Sequence, residues 1–292
     1  MSYLITHRTL YEYAAPVSVS QHVARLEPRV TAMQTCESFA LEIVPTPALR
    51  RTHTDYFGNQ LCFFAIQEVH ARLEVVTRSR VTVRAAAPAP DETAAPWESV
   101  AALFRDPVSP DVVEPYQFVF DSPHIRASPA LADYARASFD RDAPLAAGAR
   151  ALTRRLFTDF KYDPKATTVA TPLEDVWEKR RGVCQDFAHL AIACLRSLGL
   201  PARYVSGYLR THPPAGRPRL VGADASHAWF AVYSPADGWL EFDPTNNVQP
   251  AGEHITVAYG RDFGDVSPVA GILTGGGQHD LKVSVDVAEE AP

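Results

Sequence analysis

The chain has 292 residues, 46% of them hydrophobic and 21% charged, with a formal net charge of -6. That length can bury two cores, and the negative balance argues against nucleic acid or an anionic membrane as the main partner. No apolar run reaches the length of a membrane span, and Met1–Leu10 alternates polar and apolar residues instead of forming a signal-peptide apolar segment.

From Tyr3 to about Arg84 the sequence reads as strands. Tyr3–Tyr13, Ser38–Val44, Gln60–Ile66 and Ala71–Val83 are rich in β-branched and aromatic residues, and two of them alternate clearly. Pro45-Thr46-Pro47 and Phe57-Gly58-Asn59-Gln60 supply turns, so residues 1–86 are expected to form a small β-sandwich. An Ala/Pro-dense stretch, Ala85–Pro96, follows and cannot build a core, which makes 87–123 a linker or arm. Beyond it the period turns helical. Ser128-Pro129 is an N-cap and first-turn proline leading into Ala130–Phe139; Pro144–Phe160 and Pro172–Arg180 are further helices. Another helix begins at Cys184 and stops at Gly199-Leu200-Pro201. Strands Arg203–Leu209, His227–Tyr233 and Trp239–Phe242 complete a core over 124–262, with a Pro/Gly/Arg-rich loop at Pro213–Gly222. The tail, 263–292, is glycine-rich and ends in the alternating run Leu281–Val287, a candidate to return to the β-domain. The class expected is α+β.

The four cysteines (Cys36, Cys62, Cys184 and Cys194) have no C-x-x-C spacing and no disulfide-scaffold density, so a reducing, cytoplasmic setting is expected. Their contexts differ. Cys194 lies on the apolar face of its helix and reads as a small core residue. Cys184 sits in the first turn, where unpaired N–H groups and the macrodipole favour a thiolate. His227 opens a buried strand, and Asp243 closes the next one after the Ser234–Gly238 turn. If those strands form a hairpin, His227 and Asp243 meet at one end of the sheet, where the carboxylate can orient the imidazole. Singly, each residue has a bland reading: buried thiol, core or surface histidine, turn aspartate. Together they are the parts of a thiol acyl-transfer site. Zinc ligand spacings match no common site and no calcium-binding helix–loop–helix pattern is present, so neither metal nor cofactor is expected.

At these residues the chain resembles the transglutaminase-like superfamily, a relative of the papain-like thiol enzymes. The resemblance is carried by Gly182-Val-Cys184-Gln-Asp186-Phe-Ala188, by Leu195-Arg196 through Arg203-Tyr-Val-Ser-Gly-Tyr208, by His227-Ala-Trp229 and by Trp239 through Asp243-Pro-Thr. The N-terminal part resembles the β-domain that precedes this core in bacterial members, at Thr9–Tyr13, Pro16-Val17, Leu26–Arg29 and Asp55–Asn59. It implies a papain-like core, a helix carrying the cysteine packed on an antiparallel sheet, with Cys184, His227 and Asp243 as a triad acting on a peptide or side-chain amide. One oxyanion donor would be the Cys184 N–H; Tyr162 and Trp177 are candidates for the second, each with a core-aromatic alternative. Asp186 reads as structural, paired with Arg180, Arg181 or Arg203. Hydrolysis of a peptide or protein amide is the favoured activity, with isopeptide-forming transfer and non-catalytic peptide binding as the alternatives.

Overall fold

A computed structural model describes residues 1–84, 95–105, 110–211 and 225–290. Most of the Ala/Pro-rich stretch and the whole Pro213–Gly222 loop lie outside the described residues. The N-terminal strands are β1 (Ser2–Ala24), β2 (Gln34–Val44), β3 (Leu49–Thr54), β4 (Gln60–Ile66) and β5 (His70–Val83), in the spatial order β2-β5-β1-β4-β3. β1 runs well past the expected Tyr13. Its first half pairs with β5 and its second half with β4, with the ladder interrupted between Glu12 and Val17, where Pro16 cannot donate a ladder hydrogen bond. The inward-facing residues of the two halves, Val17, Ile43, Phe64, Leu73 and Val75 among them, form one apolar cluster. The sandwich is thus one hydrogen-bonded sheet folded across its own long strand.

The stretch expected to be an arm is not a spacer from Trp97 onward. Helices α1 (Trp97–Leu103) and α2 (Val113–Tyr116) lie there, and Val100, Phe104 and Phe118 are buried in this part of the chain. Val100, Phe104 and Val112 join the large core, with Trp97, Leu103, Tyr116 and Val119 packed against it, and this apolar surface draws the segment in. Helix α3 (Pro129–Arg136) is capped by the Ser128 hydroxyl, which accepts from Leu131 N–H at 3.3 Å, and ends before the expected Phe139. Then come α4 (Leu145–Asp159), a two-residue strand β6 (Lys161–Tyr162), α5 (Leu173–Lys179), its parallel partner β7 (Arg181–Gly182), and α6 (Cys184–Ser197).

Strands β8 (Ala202–Leu209), β9 (Ala225–Ser234), β10 (Gly238–Phe242) and β11 (His254–Gly260) form an antiparallel sheet in the order β10-β9-β8-β11. Ala228, Phe230 and Val232 belong to the large core that contains α6, whereas Val205, Trp229, Ala231 and Tyr259 cluster separately on the opposite face. A short helix α7 (Phe263–Val266) leads into β12 (Val269–Gly275) and β13 (His279–Glu289). Both tail strands pair with β1, β13 along Tyr3–Tyr13 and β12 along Val17–Ala24.

The β-domain docks on β11 through two carboxamides that imitate a neighbouring strand. Gln34 Nε2 donates to Thr256 C=O and its Oε1 accepts from Thr256 N–H, both at 2.8 Å. Asn59 repeats the pattern on Tyr259, also at 2.8 Å twice. Asn59 is held in turn by Asp55 and by Arg29, whose Nη1 donates to Asn59 Oδ1. These bonds satisfy the outer edge of a strand that is buried throughout, which would otherwise be costly.

Candidate active site

Cys184 is the first residue of α6, half-buried, with Val183 as an extended N-cap. Helix geometry leaves the first-turn N–H groups without intrahelical acceptors, so the thiol and its own N–H sit at the positive end of the helix. Asp186 turns back over this end: its Oδ2 accepts from Val183 N–H at 2.8 Å and from the Thr167 hydroxyl at 2.6 Å. The expected arginine pairing is not what forms. Arg180 stacks on Trp177 at 3.8 Å, Arg181 approaches Asp163, and Arg203 lies between the rings of Trp239 and Tyr259. Burial instead pushes the Asp186 carboxyl up, with the two hydrogen bonds opposing it. Gly182 is required here because a Cβ would lie 2.5 Å from the Asp186 carboxylate.

The β9–β10 hairpin pairs Gly238 with Ser234 and Phe242 with Phe230, which brings Asp243 back to the end of the sheet where His227 lies, near the start of β9. Nε2 of His227 lies 2.8 Å from Asp243 Oδ2. As an ionised carboxylate only accepts, this nitrogen carries the proton and donates. Asn246 Nδ2 also approaches the same ring nitrogen, at 3.4 Å, and Cys184 is close enough to act on the ring electrostatically. Burial alone would lower the imidazole pKa, but Asp243 and Cys184 outweigh it and raise it to about 10.

Asp243 is fully buried and takes five hydrogen bonds. Oδ2 accepts from His227, from His254 Nε2 at 3.0 Å and from Asn246 Nδ2 at 2.7 Å; Oδ1 accepts from the Thr245 and Asn246 N–H groups. Burial raises its pKa, and these donors overcome that and leave it well below the usual carboxylate range. His227, Asp243 and His254 are also the group with metal-ligand spacing among the described residues, their donor atoms within 4.8 Å of one another. The carboxylate is already filled by N–H donors, so the arrangement fits a hydrogen-bonded relay better than an ion.

Tyr162 pairs with Gly182 across β6–β7 and is 52% exposed; burial first, then the nearby Cys184 charge, raises its phenol pKa. Trp177 is half-buried and packs against the rings of Tyr134 and Phe160, with Arg180 stacked on it. Two neighbours of the carboxylate escaped the sequence reading. Asn246 lies just past the Asp243-Pro-Thr motif. His254 opens the alternating run His254–Gly260, a strand signal obscured by the glycine and proline residues around it. Behind the sheet, on the Trp229 and Tyr259 face, lies a cavity of about 520 Å³ that touches the carboxylate network only through His254.

Residues 3–82 match the family model for the bacterial transglutaminase-like N-terminal region, and residues 132–244 match that for the transglutaminase-like superfamily. An uncharacterized protein of Mycobacterium tuberculosis is 39% identical over 98% of this chain and 92% of its own length. A protein-glutamine gamma-glutamyltransferase of Pseudomonas aeruginosa is 36% identical over 40% of this chain, a segment amounting to 19% of the relative. In fold, the chain is similar to a crystal structure described as a "Putative Cysteine Protease" from Cytophaga hutchinsonii, with a TM-score of 0.76 and 20% identity, covering 100% of this chain and 92% of that one.

Proposed function

We propose, for a chain that belongs to the transglutaminase-like superfamily, a thiol-dependent hydrolase of peptide or side-chain amide bonds. The observation that carries this reading is the His227–Asp243 pair, 2.8 Å apart and electrostatically coupled to a Cys184 thiol at a helix N-terminus, with the carboxylate saturated by donors. The Cys184 thiolate attacks the amide carbonyl, and the oxyanion that forms is met by the Cys184 N–H. As the tetrahedral intermediate collapses, the C–N bond breaks and the His227 imidazolium gives its proton to the leaving amine. Water then attacks the thioester, His227 takes its proton, and the carboxylic acid and the thiolate are released. Asp243 fixes the imidazole tautomer and stabilises its charged form. Tyr162, which feels the Cys184 charge, would be the second donor. No step calls for a metal or an organic cofactor, and the substrate is a peptide or protein.

Amine transfer uses the same residues and differs in what reaches the thioester. The partial likeness to a protein-glutamine gamma-glutamyltransferase favours keeping it as the second reading. The two separate in one experiment, in which a glutamine-containing peptide library is incubated with the protein, with and without excess primary amine, and read by mass. Acid products dominating in both arms support hydrolysis. Amine-linked products dominating whenever amine is present replace it with transfer. A protein that forms neither product and retains its peptides would be a binding module.

A further inference from the structure

We propose that His254 is a positioning residue of this site, holding the Asp243 carboxylate in the orientation that receives His227. The inference rests on the reading of Cys184, His227 and Asp243 as an acyl-transfer site. His254 Nε2 approaches the same oxygen, Asp243 Oδ2, that accepts from His227, so the carboxylate is gripped from two strands at once, β9 and β11. Without the second grip, the bonds that remain besides His227 all come from Thr245 and Asn246, within three residues of Asp243 in the chain. Those bonds move with the loop they belong to. His254 is the donor that ties this loop to a different strand.

The histidine is itself held. It is buried and sits edge-on to Trp229, with ring centroids 5.1 Å apart and planes at 82°. Trp229 is fixed by its Nε1, which donates to Glu241 Oε2 at 2.8 Å. Two residues along β11, Thr256 is bonded at both its backbone groups to the Gln34 carboxamide. The β-domain therefore fixes the strand that fixes the carboxylate, which gives the N-terminal domain a structural route to the thiol. The charged and titratable groups around His254 are Asp243 and His227 on one side, with Asp237, Glu241, Arg203, Arg84 and Tyr259 lining the cavity on the other.

The test is the pH dependence of Cys184 alkylation by iodoacetamide in wild type, His254→Phe and His254→Gln. Phe keeps a ring for packing without a donor, and Gln restores an N–H donor. Loss of carboxylate orientation should slow the Phe variant about tenfold or more at neutral pH and move the acid limb of its profile upward, with Gln recovering both. A Phe variant with the wild-type rate and profile would overturn the proposal. So would equal slowing in both variants with an unmoved profile, which is the mark of packing alone. Should the Phe variant not fold, 15N spectra of the wild-type imidazoles decide: His254 protonated on Nε2 supports the inference, and Nε2 without a proton overturns it. A wild-type Cys184 no faster than a free peptide thiol would instead break the functional reading, so the two failures are distinguishable.

Discussion

The two ends of α6 carry the same residue type in opposite circumstances. At the first turn Cys184 is half-buried, beside His227 and at the positive end of the helix. Nearly three turns on, Cys194 is wholly buried among Leu190, Leu195 and their neighbours, and burial pushes its thiol up to about 12. On the proposed reading one helix supplies a reactive position and an inert one, and the difference lies in position along the helix and in partners rather than in the residue.

The sharpest break of that comparison is a pair of alanine variants. Cys184→Ala should abolish turnover, by about three orders of magnitude or more, with the fold intact by circular dichroism. Cys194→Ala should keep turnover near wild type and lose about 1 kcal/mol of stability in a denaturant titration, since it only removes a buried sulfur atom. Reversed outcomes would mean that the terminus is not the site.

Next in size is Asp243→Asn. Turnover should fall about a hundredfold to ten-thousandfold, because the amide cannot stabilise an imidazolium and invites the wrong tautomer. The pH dependence follows from the signs. His227 is raised from 6.5 to about 10, so its contribution to stability is whole below about 6.5 and is lost as pH climbs toward about 10. Asp243 is lowered from 3.8, so its contribution is whole above that value and is lost on acidification below it. The pair should therefore stabilise the protein fully between about pH 4 and 6.5 and progressively less toward pH 10. Thermal melts across that range should show the decline in wild type and a flatter alkaline side in Asp243→Asn.

The smallest effect belongs to Asp186→Asn. Asparagine keeps an acceptor for the Val183 N–H, so turnover should change by less than about threefold. Loss of turnover in a folded variant would mean that this carboxylate takes part in the chemistry.

Much of the first turn of α6 was legible because it is local. A loop, a helix start and an apolar face are written in consecutive residues, and Gly182, Cys184 and Asp186 lie within a single turn. Bringing His227 and Asp243 together needed only a hairpin, whose turn is also local. What escaped was everything that depends on a distant partner. His254 lies in a stretch with no clear strand signal, and its role appears only when β11 is placed beside β8; β12 is invisible until β1 is seen to continue past Tyr13 and to need a second neighbour. Arg196 and Asn59 stand in recognisable motifs, yet their work is structural. The Arg196 guanidinium clamps the carbonyls of Ala202 and Arg261, and Asn59 closes the edge of β11. The assignment of Asp186 to an arginine failed for a related reason. Charge complementarity suggested a partner, but the helix end offered backbone and hydroxyl donors that were closer.

The most direct test of the central claim is competitive labelling of the four cysteines by limiting iodoacetamide at neutral pH, with the sites mapped by mass, in wild type and His227→Ala. An activated thiol paired with histidine predicts rapid labelling confined to Cys184 that slows sharply in the variant, while Cys36, Cys62 and Cys194 stay unmodified in both. Slow labelling of Cys184, or a rate unchanged by removing His227, would contradict it.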